Sequence, residues 1–424
     1  MIFSVAACLT GCSGAPAANG TIRIDAAPLT SVADQPVSIT VSGLAPGTVA
    51  SVQMRSTDAN GVPWSSSAAF RVSPAGSIDP AQSAALSGSY TGVSAMGLFW
   101  AMRPAGPRPA GSDYFWSGAR PLSFEISAVA GGHSLASARL SRALSVTALS
   151  VQQESLRAAG FYGEYFSPAS APERRPALLV FGGSEGGLSG TLVAALLAAH
   201  GYPALALAYF NAPGLPATLS DIPLEYFARA LRWLRAQPQV DPRHVLTLGV
   251  SRGSEAALLL GAFYPRLVNG VIASVPSDAA GCAYPNCNGP AWTLHGRPLP
   301  YTSQFDNPHP TDDPAAVIPV ERIRGPVFLD CGGADAIWVS CPYARAIMTR
   351  LAAHRDAYQH VLQAYPAAGH GAGSLVPYEP VAETTTPGAN LSGRSPDANP
   401  DADAMLWPRL LQFLAGVTGK AQRH

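Results

Sequence analysis

The stretch Val245-Leu-Thr-Leu-Gly-Val-Ser-Arg-Gly-Ser-Glu-Ala-Ala-Leu-Leu-Leu260 constrains the fold of this chain more than any other. It reads as an apolar strand, a sharp turn carrying Ser251 between Gly249 and Gly253, and an Ala/Leu-rich helix. The G-x-S-x-G pattern alone also describes an ordinary glycine-flanked loop serine. A strand before it and a helix after it make it a nucleophile elbow. A turn this tight crowds the backbone, and glycine on both sides lets the serine stand on a strained, exposed apex. The helix that follows aims N–H groups and a partial positive charge at any oxyanion formed there.

Strands and helices alternate on either side of the elbow. Ala177–Phe181 is a continuous apolar run, as expected of a strand buried on both faces of a parallel sheet. Gly182-Gly-Ser-Glu-Gly-Gly187 follows, then a helix over Leu192–His200, a strand over Pro203–Ala208 and a helix over Leu224–Arg235. After the elbow come strand Leu267–Ser274, strand Pro326–Asp330, helix Tyr343–His354, strand His360–Tyr365 and a last helix near Ala404–Leu414. The alternation predicts an α/β-hydrolase fold, a doubly wound, mostly parallel sheet, over residues 151–424. Residues 275–322 break the rhythm with Pro, Gly, Asn and aromatics and are expected to cap the active-site end of the sheet. Residues 372–402, without periodicity, are expected to be loop.

Residues 21–150 follow a different period. Val37–Val41, Val49–Met54, Ala69–Val72, Leu122–Ser127 and Ser134–Leu140 alternate apolar and polar residues between Gly/Pro turns. This spacing predicts an all-β, immunoglobulin-like sandwich ahead of the hydrolase domain. Its one conspicuous titratable residue, His133, sits in a Gly-Gly-His turn and reads as a solvated loop residue.

With 424 residues the chain exceeds one ordinary core, and 27 basic against 27 acidic residues give no electrostatic case for nucleic acid or an anionic membrane. No internal apolar run is long enough for a membrane span. Residues 1–20 read as a signal and tether, in which Leu9-Thr-Gly-Cys12 resembles a bacterial lipobox with Cys12 as the lipidated residue. An exported, membrane-anchored protein is therefore expected, touching the membrane only through that anchor. Cys282, Cys287, Cys331 and Cys341 suit two disulfides. Three connectivities are possible, the local pairs being the simplest, and the lack of C-x-x-C spacing argues against zinc. No metal or cofactor is expected.

In an open parallel sheet the reactive groups gather beyond the C-terminal strand ends. Two later strands end in Gly332-Gly-Ala-Asp335 and Ala367-Ala-Gly-His370, which brings Asp335 and His370 to the rim that carries Ser251. The chain order Ser, Asp, His is the one this fold uses. Neutral imidazole can take the serine proton, and a carboxylate behind the ring fixes its tautomer. The rivals fit less well. Asp330 lies within a strand, Asp312 and Asp313 lie in the insertion, and His200, His244, His354 and His360 lie at element boundaries away from the rim. The oxyanion hole is expected from the backbone N–H of Arg252 and from one in Gly183–Glu185, with Ser184 and Glu185 as candidates. The glycine-rich loop lacks the Gly-Lys-Ser/Thr ending of a phosphate-binding loop.

These residues resemble the family of acyl-CoA thioesterases and bile acid-CoA:amino acid N-acyltransferases. The resemblance is carried by Ser89–Pro104, Val180–Leu188, Ala206–Asn211, Gly249–Gly253, Asp335–Trp338 with Ser340, and Tyr365–His370. It implies a Ser251–Asp335–His370 triad acting on a small acyl thioester through an acyl-enzyme, and the cap cysteines and the apparent lipobox fit an exported bacterial relative. The amino-acid-conjugating branch of the family carries cysteine at the nucleophile position, so Ser251 favours water as acceptor. Other readings are a surface carboxylesterase acting on oxygen esters, an N-acyltransferase, and a catalytically inactive surface-binding lipoprotein.

Overall fold

A computed structural model of the chain describes residues 21–105, 116, 120–145, 147–170, 173–304, 314–354, 357–380 and 393–417. Cys12 and the rest of residues 1–20 lie outside them, as do Asp312 and Asp313.

The N-terminal region is built on the period of two that its sequence carries. Along Val49–Thr57 and Pro63–Arg71 every second side chain is buried. These strands belong to a seven-stranded sheet with Thr30–Val32, His133–Ala143, Leu122–Ala130, Ala85–Gly88 and Arg103–Pro104. Arg23–Ala27, Ser38–Ser42 and Ser77–Ile78 form a second, three-stranded sheet. Val41 and Ile78 of the small sheet share one core with Val52, Met54, Phe70 and Ile126 of the large one.

Next comes an eight-stranded sheet. Its strands are β1 (Leu149–Glu154), β2 (Tyr162–Pro168), β3 (Arg175–Phe181), β4 (Ala204–Ala208), β5 (Val240–Val250), β6 (Val271–Ser274), β7 (Val327–Gly332) and β8 (Val361–Tyr365). They lie in the order β1-β2-β4-β3-β5-β6-β7-β8. The pairings from β4 through β8 are parallel, and β1 and β2 join antiparallel at one edge. Helices α1 (Thr191–Ala199), α2 (Leu224–Arg235), α3 (Arg252–Phe263), α4 (Ser340–His354) and α5 (Ala398–Val417) fall between and after the strands. This is the α/β-hydrolase fold expected from the alternation.

Two details differ from the sequence reading. The sheet begins with β1 and β2, neither of which is a continuous apolar run, and residue 150 lies inside β1. The stretch 372–402 is not all loop. A 3-10 turn spans His370–Ser374, and α5 starts at Ala398 rather than near 404. Pro400 does not prevent that start, because a proline in the first helical turn forfeits no intrahelical hydrogen bond.

The β-rich region shares an apolar core with the hydrolase region, and one of its carboxylates reaches across to α1 and α5. Asp34 accepts hydrogen bonds from Trp407 Nε1 of α5 at 2.6 Å and from His200 Nε2 just beyond α1 at 2.5 Å. Arg142, fully buried, holds the same loop by donating to the carbonyls of Val32, Ala33 and Gln35. Asp34→Ala would leave the buried indole N–H without its acceptor and is expected to cost about 1–3 kcal/mol. The urea midpoint of the variant reads this loss. A midpoint equal to wild type would show that apolar contact alone holds the two regions together.

Candidate active site

Backbone geometry places Ser251. β5 ends at Val250, α3 starts at Arg252, and Ser251 between them adopts φ 54°, ψ −122°. A non-glycine residue in this region is strained, by about 1–3 kcal/mol, and persists only where its surroundings fix it. They do so here. The Ser251 N–H donates to the Ser274 carbonyl of β6 at 3.0 Å, and the Ser251 carbonyl accepts from Ser254 Oγ at 2.6 Å. The flanking glycines are required by close approach. A Cβ on Gly249 would lie 2.1 Å from the Gly253 oxygen, and one on Gly253 would lie 2.2 Å from the Gly182 oxygen.

The ends of β7 and β8 bring the other two residues to Ser251. His370 Nε2 is 2.8 Å from Ser251 Oγ, and His370 Nδ1 is 2.8 Å from Asp335 Oδ2. Asp335 Oδ1 accepts the backbone N–H groups of Ile337 at 3.0 Å and Trp338 at 3.2 Å, so the carboxylate cannot rotate away. The Trp338 ring meets the imidazole edge-on at a centroid distance of 5.5 Å, and its Nε1 donates to the Val275 carbonyl at 3.0 Å. Asn399 of α5 accepts the Gly369 N–H at 2.7 Å, which ties the histidine loop to the last helix. With Nδ1–H donating to Asp335, Nε2 is the acceptor facing the serine hydroxyl. This arrangement can deprotonate a hydroxyl and return the proton to a leaving group.

The rival residues lie elsewhere. Asp330 is fully buried and is bound to Ser274 Oγ at 2.6 Å. Burial pushes its carboxyl up to about 7. His200 pairs with Asp34, His244 with Asp241, and His360 Nδ1 accepts the Val327 N–H.

In the loop after β3, the Gly183 N–H donates to Glu185 Oε1 at 2.8 Å. A Cβ on Gly183 would lie 2.9 Å from the Ser251 Cβ, so this loop runs against Ser251.

Both disulfides are local and lie next to this machinery. Cys331–Cys341 closes the loop that carries Asp335, and Cys282–Cys287 lies in the insertion after β6. The insertion is bound to α3 through a buried ion pair. Arg252 Nε is 3.2 Å from Glu255 Oε1, Glu255 Oε2 accepts from Gly281 N and Trp292 Nε1, and Arg252 Nη2 donates to the Cys282 carbonyl. Burial raises the Glu255 carboxyl above its ordinary value, against the pull of the Arg252 guanidinium.

Two family models match in tandem. One, described as the acyl-CoA thioester hydrolase/BAAT N-terminal region, covers residues 34–157. The other, BAAT/acyl-CoA thioester hydrolase C terminal, covers residues 222–284 and 293–420. The chain belongs to this acyl-CoA thioesterase/BAAT family. Acyl-coenzyme A thioesterase 6 of Mus musculus is 30% identical over 90% of this chain and 93% of its own length. Acyl-coenzyme A thioesterase 1 of Homo sapiens is 30% identical over 80% of this chain and 82% of its own. Among solved structures, an α/β-hydrolase enzyme from a deep-sea metagenome aligns over 63% of this chain and 98% of its own, with TM-score 0.42 and 16% identity.

As a member of the acyl-CoA thioesterase/BAAT family the protein is a hydrolase. Sequence reasoning assigned no role to two buried residues of its site, Tyr209 and Glu255. A signal for Glu255 was present, since a lone acid three residues after Arg252 in an otherwise apolar helix needs a buried partner.

Proposed function

We propose that the protein hydrolyses acyl thioesters through an acyl-enzyme on Ser251. The reading is carried by the hydrogen-bonded chain from Ser251 Oγ through His370 to Asp335, with both contacts at 2.8 Å. His370 Nε2 takes the hydroxyl proton as Oγ attacks the acyl carbon. The oxyanion faces the N–H of Arg252 and one N–H of the Gly183–Glu185 loop. The tetrahedral intermediate then expels the thiol, which leaves with the proton held by His370. A water, deprotonated at the same Nε2, attacks the acyl-enzyme and releases the carboxylic acid with Ser251 restored. Serine at this position supports water over an amine as the acceptor.

The N-terminal two-sheet region reads as an immunoglobulin-like sandwich, and the insertion after β6 as a cap over the acyl site. Two disulfides support an oxidising compartment, in keeping with an anchor at Cys12. CoA thioesters are cytosolic metabolites, so that compartment makes oxygen esters the second substrate reading, and the same attack cleaves either bond.

A panel of acyl-CoA, acyl-pantetheine and p-nitrophenyl esters across chain lengths tests the assignment. Thioester turnover with kcat/KM above that of the matched ester is expected. Ester cleavage without any thioester cleavage would make the protein a carboxylesterase, and amide formation with added glycine or taurine would make it an acyltransferase.

A further inference from the structure

Tyr209, one residue past β4, is 2% exposed and packs among the rings of Phe181, Phe210, Phe227 and Trp292. Such a site suits phenylalanine equally well, apart from the hydroxyl. That hydroxyl lies 2.9 Å from the Gly182 carbonyl and 2.9 Å from the Gly183 carbonyl, so one proton is shared between two successive peptide oxygens. In a planar trans peptide the C=O and the following N–H point in opposite directions. Drawing both oxygens toward Tyr209 turns the N–H groups of Gly183 and Ser184 away from it, and the same loop runs beside Ser251, whose Cβ a Cβ on Gly183 would meet at 2.9 Å. The Gly183 N–H is already taken by Glu185 Oε1.

We propose that Tyr209 is a positioning residue for catalysis, anchoring the Gly182 and Gly183 carbonyls so that the Ser184 N–H joins that of Arg252 in facing the oxyanion. The proposal rests on the acyl-enzyme reading above and names the loop donor that reading leaves open. A donor fixed before charge develops needs no reorganisation in the transition state, which is where an oxyanion hole gains its advantage. Tyr209 is suited to hold it at any working pH. Burial, helped by the nearby Glu185 carboxylate, pushes its phenol well above the ordinary value, so the hydroxyl keeps its proton.

The test is Tyr209→Phe, with rates counted per serine titrated to completion by a fluorophosphonate. Direct removal of an oxyanion donor costs about 100- to 1000-fold in kcat. Loosening one is expected to cost about 10- to 100-fold, with KM within about twofold of wild type. Two acyl ligands separate positioning from mere packing. A trifluoromethyl ketone thioether, which adds Ser251 and places an oxyanion in the hole, should weaken by the factor lost in kcat/KM. A non-hydrolysable thioether without the carbonyl should bind unchanged. Unchanged kcat, or equal weakening of both ligands together with a lower thermal midpoint, would overturn the role of Tyr209. Wild-type protein that binds neither the fluorophosphonate nor the ketone would overturn the acyl-enzyme reading itself, and the role of Tyr209 with it.

Discussion

Replacing Ser251 with alanine is expected to lower kcat by about 10⁴- to 10⁶-fold, the range found when a triad member is removed. The loss should appear in kcat rather than KM, because alanine keeps the Cβ and disturbs nothing that holds the acyl chain. The backbone supplies an internal control. Ser251 stands at φ 54°, and alanine inherits that strain, so Ser251→Ala should unfold close to the wild-type midpoint. Ser251→Gly should be equally inactive but more stable by about 1 kcal/mol, the relieved strain less the entropy glycine loses on folding. Stability and activity would then move in opposite directions at one residue, as expected where strain is held for chemistry. Neither variant should take a fluorophosphonate. Turnover within 100-fold of wild type in Ser251→Ala, or labelling at another serine, would remove Ser251 as the nucleophile.

The features legible in the sequence are those that local pattern and strand direction together dictate. Gly249, Ser251 and Gly253 announce a turn no larger residues could make, and parallel strands carry whatever follows them to one rim. Asp335 and His370 could therefore be placed beside Ser251 although 84 and 119 residues separate them from it in the chain numbering. Antiparallel edge strands gave no such signal. Leu149–Glu154 is exposed along most of its length, so its residues need not be apolar and the continuous run that marks Ala177–Phe181 is missing. The early start of α5 was hidden because Asn399 and Pro400 read as loop formers. Instead, the Asn399 side chain accepts the Gly369 N–H, and Pro400 lies in the first turn, where its missing N–H costs nothing. The partners of Tyr209 and Asp34 lie on other elements, as do Gly281 and Trp292 beside Glu255, and a pattern within one element cannot announce them.

The choice between two carboxyls near the C-terminal rim of the sheet yields the second large effect. Asp335→Asn is expected to lower kcat about 10⁴-fold near neutral pH. An amide can still accept the N–H groups of Ile337 and Trp338 through its oxygen, so the loop should keep its shape. Its NH₂ then faces His370 Nδ1, which must become the acceptor, and Nε2 carries the proton where a base is needed. Asp330→Asn should behave in the opposite manner, with turnover within a few-fold of wild type and a change in stability instead. Burial, opposed by the hydrogen bond from Ser274, places the Asp330 carboxyl at about 7, above its unfolded value. The folded state therefore holds a proton that the unfolded state releases between about pH 4 and 7, and stability falls as pH rises through that window. Asparagine abolishes the titration, so the urea midpoint of Asp330→Asn should match wild type near pH 4 and exceed it at pH 8. The neighbouring Asp403, whose carboxyl is also raised by burial, keeps part of the slope. Loss of turnover in Asp330→Asn comparable to that in Asp335→Asn would make Asp330 the triad acid instead.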